Sequence, residues 1–233
     1  MKFAALTDKG IVRDNNEDSY KIGENFLIVA DGMGGHNAGE VASNIAVETA
    51  SRVLSEAAEG YREKIEEAII TANNSVYALA TGERKGMGTT MDVCVCSEGK
   101  VYIGHVGDSR VYVIRDKKAV KITEDHSYVE MLVAKGELTK EEAENYPMKN
   151  MITRAVGIGV SVECDLYELD IKPGDKIVLC TDGLTNMVSD AEMEKVINTS
   201  KNIDEAVKTL VAKANKAGGT DNITLIIAEN LFD

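Results

Sequence analysis

The chain has 233 residues, 44% of them apolar, and carries 39 acidic against 26 basic side chains for a formal charge of −13. The length suits one large domain or two small ones, and the apolar share excludes a disordered chain. The acidic surplus excludes non-specific nucleic-acid binding, which needs clustered Lys and Arg.

The opening apolar residues are broken at Asp8, too early for a secretory signal. No stretch approaches the roughly 18 apolar residues needed to cross a bilayer. The expectation is a cytoplasmic protein without a membrane partner. Short β-like runs come first, at Lys2–Thr7, Ser19–Ile22 and Phe26–Ala30. Two helical patterns follow, Ala38–Ala57 and Tyr61–Ala80, with apolar positions such as Val41, Ala42, Ile45 and Ala46 at helical spacing. Strands are expected at Thr90–Cys96, Lys100–Val106 and Arg110–Ile114. Turns at Gly99 and Asp108-Ser109 suggest that these three pair as an antiparallel meander. Cys94 and Cys96 alternate along the first of them and share one face. Residues 127–146 read as short helices rich in Glu and Lys. Strands return at Val162–Leu169 and Lys176–Cys180, then helices at Asp190–Asn198 and Ile203–Asn215, and a last strand at Asn222–Ala228. Strand runs separated by helix pairs indicate antiparallel sheets covered by helices. Without repeats or a linker-like tract, the chain reads as one domain.

Chemistry-bearing residues gather at strand ends and turns: Arg13–Asp18, Asp31–His36, Gly107–Arg110, Thr181–Gly183 and Gly219–Asn222. Asp31-Gly32 and Asp182-Gly183 each follow a hydrophobic run. Asp-Gly alone is turn chemistry. A carboxylate at the mouth of a core strand is, in addition, partly desolvated and favours a cation. Two carboxylates about 4 Å apart repel by roughly 4 kcal/mol at an effective dielectric near 20, and divalent ions remove that cost. Oxygen ligands suit magnesium and manganese, and an ion pair can activate water against a phosphoryl group. Arg13 offers a planar donor fork for phosphate. Other phosphate chemistries lack their residues. No Gly-x-x-x-x-Gly-Lys loop occurs, and the positions six after each cysteine hold Lys100, Tyr102, Asp170 and Asn186 rather than Arg. No Cys-x-x-Cys occurs, and His36, His105 and His126 match no metal motif. His105 alternates with Ile103 on a strand and reads as structural.

Taken in order, the motifs resemble the PPM family, the metal-dependent type-2C serine/threonine phosphatases, in their compact bacterial form. They are R-x-x-N-E-D at Arg13–Asp18, D-G-M-G-G-H at Asp31–His36, G-T-T at Gly88–Thr90 and V-G-D-S-R at Val106–Arg110. Asp125-His126, T-R-A-V-G at Thr153–Gly157, T-D-G at Thr181–Gly183 and Asp221-Asn222 complete the set. The resemblance spans essentially the whole chain. It implies an α+β fold, a four-layer α/β/β/α sandwich of two antiparallel sheets flanked by helix pairs, with the catalytic cleft at one edge.

It also implies roles. Asp31 bridges two Mn2+ or Mg2+ ions, the Gly32 carbonyl binds one of them, and Asp182 and Asp221 complete the shell. Asp18 holds waters of the metals, and Glu17 does likewise or reaches a metal directly. Asp108, with Asp182, holds a third and weaker ion. Arg13 grips the phosphate, and residues 127–155 form a flap beside the cleft. Many eukaryotic members carry a His where this chain has Met33, which leaves the proton donor to the leaving group open between His36 and a water of the metal centre. The expected partners are phosphorylated proteins and a cognate bacterial Ser/Thr kinase. A small-molecule phosphatase and a catalytically dead binding module are the rival readings.

Overall fold

The central strands are apolar at nearly every position because both of their faces are covered. The computed structural model describes residues 1–35, 38–57, 59–144 and 146–231. Its strands are β1 (Lys2–Asp8), β2 (Asp18–Ile22), β3 (Phe26–Met33), β4 (Gly88–Thr89), β5 (Met91–Ser97), β6 (Lys100–Val106), β7 (Arg110–Arg115), β8 (Lys118–Lys121), β9 (Asp165–Asp170), β10 (Lys176–Cys180) and β11 (Ile223–Glu229). Its helices are α1 (Ala38–Ser55), α2 (Tyr61–Leu79), α3 (Tyr128–Ala134), α4 (Lys140–Glu144), α5 (Asp182–Thr185), α6 (Asp190–Thr199) and α7 (Ile203–Lys216).

The strands form two antiparallel sheets, ordered β1-β11-β10-β7-β8 and β2-β3-β5-β6-β9, with β4 paired to the end of β3. Side chains alternate between layers, as the period of two requires. Along β3, Phe26, Ile28 and Ala30 pack under the helices while Leu27 and Val29 point to the other sheet. Along β10, Ile177 and Leu179 face the inter-sheet layer and Val178 and Cys180 the opposite helices. Cys94 and Cys96 share the inter-sheet face, as their spacing suggests. Helices α1 and α2 cover one sheet, where Ala42, Ala46, Ala50, Ala68 and Ala72 allow close approach. Helices α6 and α7 cover the other. The result is the expected four-layer sandwich. Truncating a fully buried member such as Leu27 to Ala costs about 2–5 kcal/mol.

The meander expectation fails at its third strand. β5 and β6 do pair, from Met91↔Val106 to Ser97↔Lys100, but β7 leaves for the other sheet and pairs with β10 and β8. Gly107 makes the crossover with φ +113°, and a Cβ there would meet the Thr90 side chain at 2.5 Å. Gly107-Asp108-Ser109 is therefore a bridge between sheets, not a hairpin turn. β8 was not expected at all. Its hairpin turns at Asp116 and Lys117, both at positive φ (51° and 67°), a conformation usually signalled by Asn-Gly or Asp-Gly. β9 begins at Asp165 rather than Val162.

Chain direction collects one set of termini at one end of the sandwich. β2 starts opposite the end of β3, with Asp18 paired to Asp31. β10 ends where β7 starts, with Cys180 paired to Arg110, and β11 starts opposite the end of β1, with Ile223 paired to Asp8.

Candidate active site at the carboxylate end of the sandwich

Asp31 lies within β3, which runs on to Met33, rather than after it. Its main chain is fixed on both sides. The Asp31 N–H donates to Thr90 Oγ1 at 2.8 Å, and its carbonyl accepts the Thr89 hydroxyl at 2.8 Å. Next to it, the Gly32 N–H donates to the Glu17 carbonyl at 3.1 Å. A Cβ on Gly32 would lie 2.1 Å from the Gly39 oxygen, so only glycine fits.

Asp182 opens the short helix α5 rather than a turn, with Thr181 at its N-cap position. The Thr181 hydroxyl does not cap the helix. It donates across the sheets to Asp18 Oδ2 at 2.9 Å and accepts the Thr224 N–H at 2.9 Å. Asn186 Nδ2 donates to Asp182 Oδ2 at 3.0 Å. Asp221 Oδ1 accepts the Asn222 N–H at 2.8 Å, and Oδ2 is 2.7 Å from Arg13 Nη2. Asn222 ties three segments together. Its side chain donates to the Lys9 and Asn15 carbonyls and accepts the Glu17 N–H at 2.8 Å.

Electrostatically the cluster is unfavourable for ionised acids. Burial holds Asp31 well above the usual carboxylate range, reinforced by Asp18, Asp182, Asp108 and Asp221. Burial pushes Asp18 up to about 7, against hydrogen bonds from Thr224 and Thr181. Asp108 is likewise pushed up to about 7 by burial and then by Asp182. Asp182 is raised by burial and then by Asp221, and its carboxyl is within hydrogen-bonding reach of that of Asp31. Asp18 Oδ1 is buried without any hydrogen-bond partner, a costly state for a carboxylate oxygen. Arg13 is exposed at the rim. Burial lowers its affinity for the proton, but Asp221, then Asp31 and Glu17, outweigh that and raise it. Burial also raises Glu17, and its carboxylate accepts the Gly39 N–H at the start of α1, which occupies part of its capacity as a ligand.

These observations fit a hard divalent cation: an orphaned carboxylate oxygen, acids raised by one another, and oxygen donors only. Among the described residues, no three Asp, Glu, His or Cys side chains already close around one point as a cage. An ion here would rest on carboxylates together with carbonyl and water oxygens.

The structure thus brings Asp18, Asp31, Gly32, Asp108, Asp182, Asp221, Arg13 and Glu17 to one end of the fold. His36 lies outside the described residues. Thr90, Thr181 and Asn222 stand inside motifs that the sequence displayed, but their scaffolding roles depend on partners far away in the chain. A cavity of about 850 Å3 opens beside Asp108 and Asp182, bounded by Glu130, Lys140 and Lys149 of the flap and by Asn186 and Asp190 opposite.

Comparison with known proteins gives a consistent picture. Residues 11–218 match the family model described as Protein phosphatase 2C. A Listeria innocua protein named serine/threonine phosphatase stp is 40% identical over 235 residues, covering 96% of this chain and 93% of the relative. The structure of the Mycobacterium tuberculosis serine/threonine phosphatase PstP/Ppp superposes with a TM-score of 0.93 at 35% identity, over 98% of this chain and 97% of that one. A PstP catalytic domain solved with 2 manganese ions superposes with a TM-score of 0.90 at 35% identity, over 98% and 97% of the two chains.

Proposed function

The chain belongs to the protein phosphatase 2C family and is a serine/threonine phosphatase of that type, and from that premise we propose that it removes phosphate from phosphoserine and phosphothreonine in other proteins at a centre of two manganese or magnesium ions. The observation that carries this reading is the buried, unpartnered Asp18 Oδ1 beside Asp31, Asp108 and Asp182, all held above the usual carboxylate range. The PstP domain holding 2 manganese ions supports it.

Asp31, the Gly32 carbonyl, Asp182 and Asp221 would hold the two ions, and Asp108 with Asp182 would hold a third, weaker one. Divalent ions in such a site supply Lewis-acid polarisation of the phosphoryl group and a nucleophilic water. The protein's own groups do the positioning. Arg13 holds the phosphoryl oxygens through its planar fork. Asp18, fixed by Thr181, orients water through its free Oδ1, and Glu17 assists at the rim. The water oxygen bonds to phosphorus and gives up a proton to solvent, the ester P–O bond breaks, and the departing serine or threonine oxygen takes a proton from His36 or from a water of the centre. Residues 1–233 act as one catalytic domain with residues 127–155 as its flap.

The proposed partners are phosphorylated proteins made by a cognate Ser/Thr kinase, and the proposed compartment is the cytoplasm. Four free cysteines agree with a reducing compartment. No helix among the described residues is long and apolar enough to cross a membrane. The test is a comparison of kcat/KM, with manganese, for a phosphothreonine peptide, sugar phosphates and nucleotides. Preference for the peptide by at least an order of magnitude is expected. Preference for a sugar phosphate or nucleotide would make the chain a small-molecule phosphatase, and no turnover of any would make it a binding module.

A further inference from the structure

Asp108 sits on the crossover between the sheets, and both of its neighbours in the chain are tied down. On one side, Ser109 Oγ lies 2.7 Å from Thr90 Oγ1, the same oxygen that accepts the Asp31 N–H. On the other, Gly107 makes two hydrogen bonds with His126: its N–H donates to Nδ1 at 3.1 Å, and its carbonyl accepts the His126 N–H at 2.7 Å. We propose that His126 is a positioning residue that fixes Asp108 through Gly107 and locks both ends of the flap to it. This rests on the reading of Asp108 as the ligand of the weaker ion.

Two donors approach the imidazole, the Gly107 N–H at Nδ1 and Arg154 Nη1 at Nε2, and a neutral ring accepts at only one nitrogen; Arg154 has Asp165 as a partner and the Gly107 N–H has only the ring. The Gly107 N–H can donate only to an unprotonated Nδ1, so the proton sits on Nε2. That nitrogen is 3.2 Å from Asp165 Oδ2 and donates to it. Arg154 Nη1 donates to Asp165 Oδ1 at 2.7 Å; it also lies 3.0 Å from Nε2, and because that nitrogen carries the ring proton the arginine's partner here is the carboxylate and not the ring. A second proton on the ring would set N–H against N–H at Gly107 and place a cation beside Arg154. Burial, His105 and Arg154 accordingly push His126 down to about 4. The ring of His105, 4.6 Å away between centroids, supports one face of the imidazole. His105 is itself fixed by Asp92 at 2.6 Å and by the Glu124 carbonyl at 2.9 Å.

The same residue clamps the flap. His126 immediately precedes it, and the His126 carbonyl accepts the N–H of Thr153, near the flap's end, at 2.7 Å. Ser127 pairs with Ile152, and the Tyr128 N–H donates to the Met151 carbonyl at 2.8 Å. A displacement of the flap that moves His126 therefore pulls on Gly107 and changes where Asp108 points.

Two conservative variants separate this role from simple packing. In His126→Asn, Oδ1 stands where Nδ1 was and still accepts from Gly107. In His126→Gln, the polar end stands where Nε2 was, and the Gly107 N–H loses its acceptor. Metal titration is followed by calorimetry with manganese alone, and activity with a small aryl phosphate. His126→Gln is expected to raise the manganese concentration that half-fills the weak site by about tenfold, the usual scale for losing an outer-shell partner, and to lower kcat more than it changes KM. His126→Asn is expected to recover most of that loss. If wild type titrates normally and both variants titrate like it while melting lower, His126 is only a packing residue and the inference falls. If wild type neither binds manganese nor turns over, the underlying reading falls and takes this inference with it. Should His126→Gln not fold, nitrogen NMR of the wild-type ring decides: protonation on Nε2 with coupling from the Gly107 amide to Nδ1 is expected, and protonation on Nδ1 overturns the inference.

Discussion

The fold holds two sets of buried aspartates, and they behave in opposite ways. Asp125 is largely buried yet held below the usual range, because Arg110 and Lys121 more than offset its burial. Asp165, only partly covered, is also lowered by Arg154 and His126. Asp18, Asp31, Asp108 and Asp182 are as enclosed, but they face chiefly one another and are raised. Arg13, at the rim, is exposed and bonds Asp221. Burying a carboxylate is tolerable when its cation comes from the same chain. At the cleft Arg110 offsets the burial of Asp108 and Asp182 only in part, and both stay raised, which suits a positive charge taken from solution.

The largest expected effect comes from exchanging the two sets. Asp31→Ala should lower kcat by about three orders of magnitude or more, as expected when a group organising transition-state charge is lost. Asp125→Ala should instead cost about 3 kcal/mol of stability by leaving Arg110 unpaired, while keeping manganese binding. Calorimetric titration and thermal melts of both variants check the pair, and similar losses of metal binding in both would erase the distinction.

Next in size is the pH dependence of the metal-free protein. Asp18 and Asp108 move from an ordinary 3.8 to about 7 on folding. The folded chain thus keeps protons that the unfolded chain has lost. Their contribution to stability is complete below 3.8 and disappears as pH rises through about 7. In chelator, Tm should be higher at pH 5.5 than at pH 8 by on the order of 5 °C, Asp18→Asn should flatten the difference, and manganese should restore Tm at pH 8. A chelated protein that melts higher at pH 8 would contradict the assignment.

Arg13→Ala should act more mildly, raising KM for phosphopeptide about tenfold with a smaller fall in kcat. An unchanged KM would remove Arg13 from the phosphate site.

The smallest effect concerns the flap. Its surplus of Glu in the sequence suggests repulsion of acidic peptides, and the structure adds two lysines to the surface beside the cleft. Glu142 accepts from the Thr139 N–H and hydroxyl, while Lys140 and Lys149 line the cavity beside Asp108. Reversing both to Glu should lower kcat/KM for acidic phosphopeptides about threefold at low salt and leave aryl phosphate hydrolysis unchanged. A peptide ranking that does not move would show that these lysines play no part in selection.

The contrast also explains what the sequence made legible. Strands buried on both faces, such as Phe26–Ala30 and Lys176–Cys180, are unbroken apolar runs and need no tertiary information to be seen. The acidic motifs stand out because each sits where such a run stops. The crossing of β7 to the second sheet leaves no local mark, since a strand's periodicity does not name its partner, and Asp108-Ser109 has the chemistry of an ordinary turn. Helix α5 was hidden for a related reason: Asp182-Gly183 also reads as a turn, and the Thr181 hydroxyl that would cap a helix is spent on Asp18, 163 residues away in sequence. The pinning of Gly107 by His126 was equally invisible, because it joins two motifs that are adjacent only in space.

The central claim is that the carboxylate end is completed by divalent ions and then hydrolyses phosphoprotein esters. The most direct test is phosphate release from a phosphothreonine peptide by chelated protein as manganese is added back. The account predicts no release in chelator, a saturable rise with manganese, and loss again on renewed chelation. A full rate in chelator, or no release at any manganese concentration by folded protein, would contradict it.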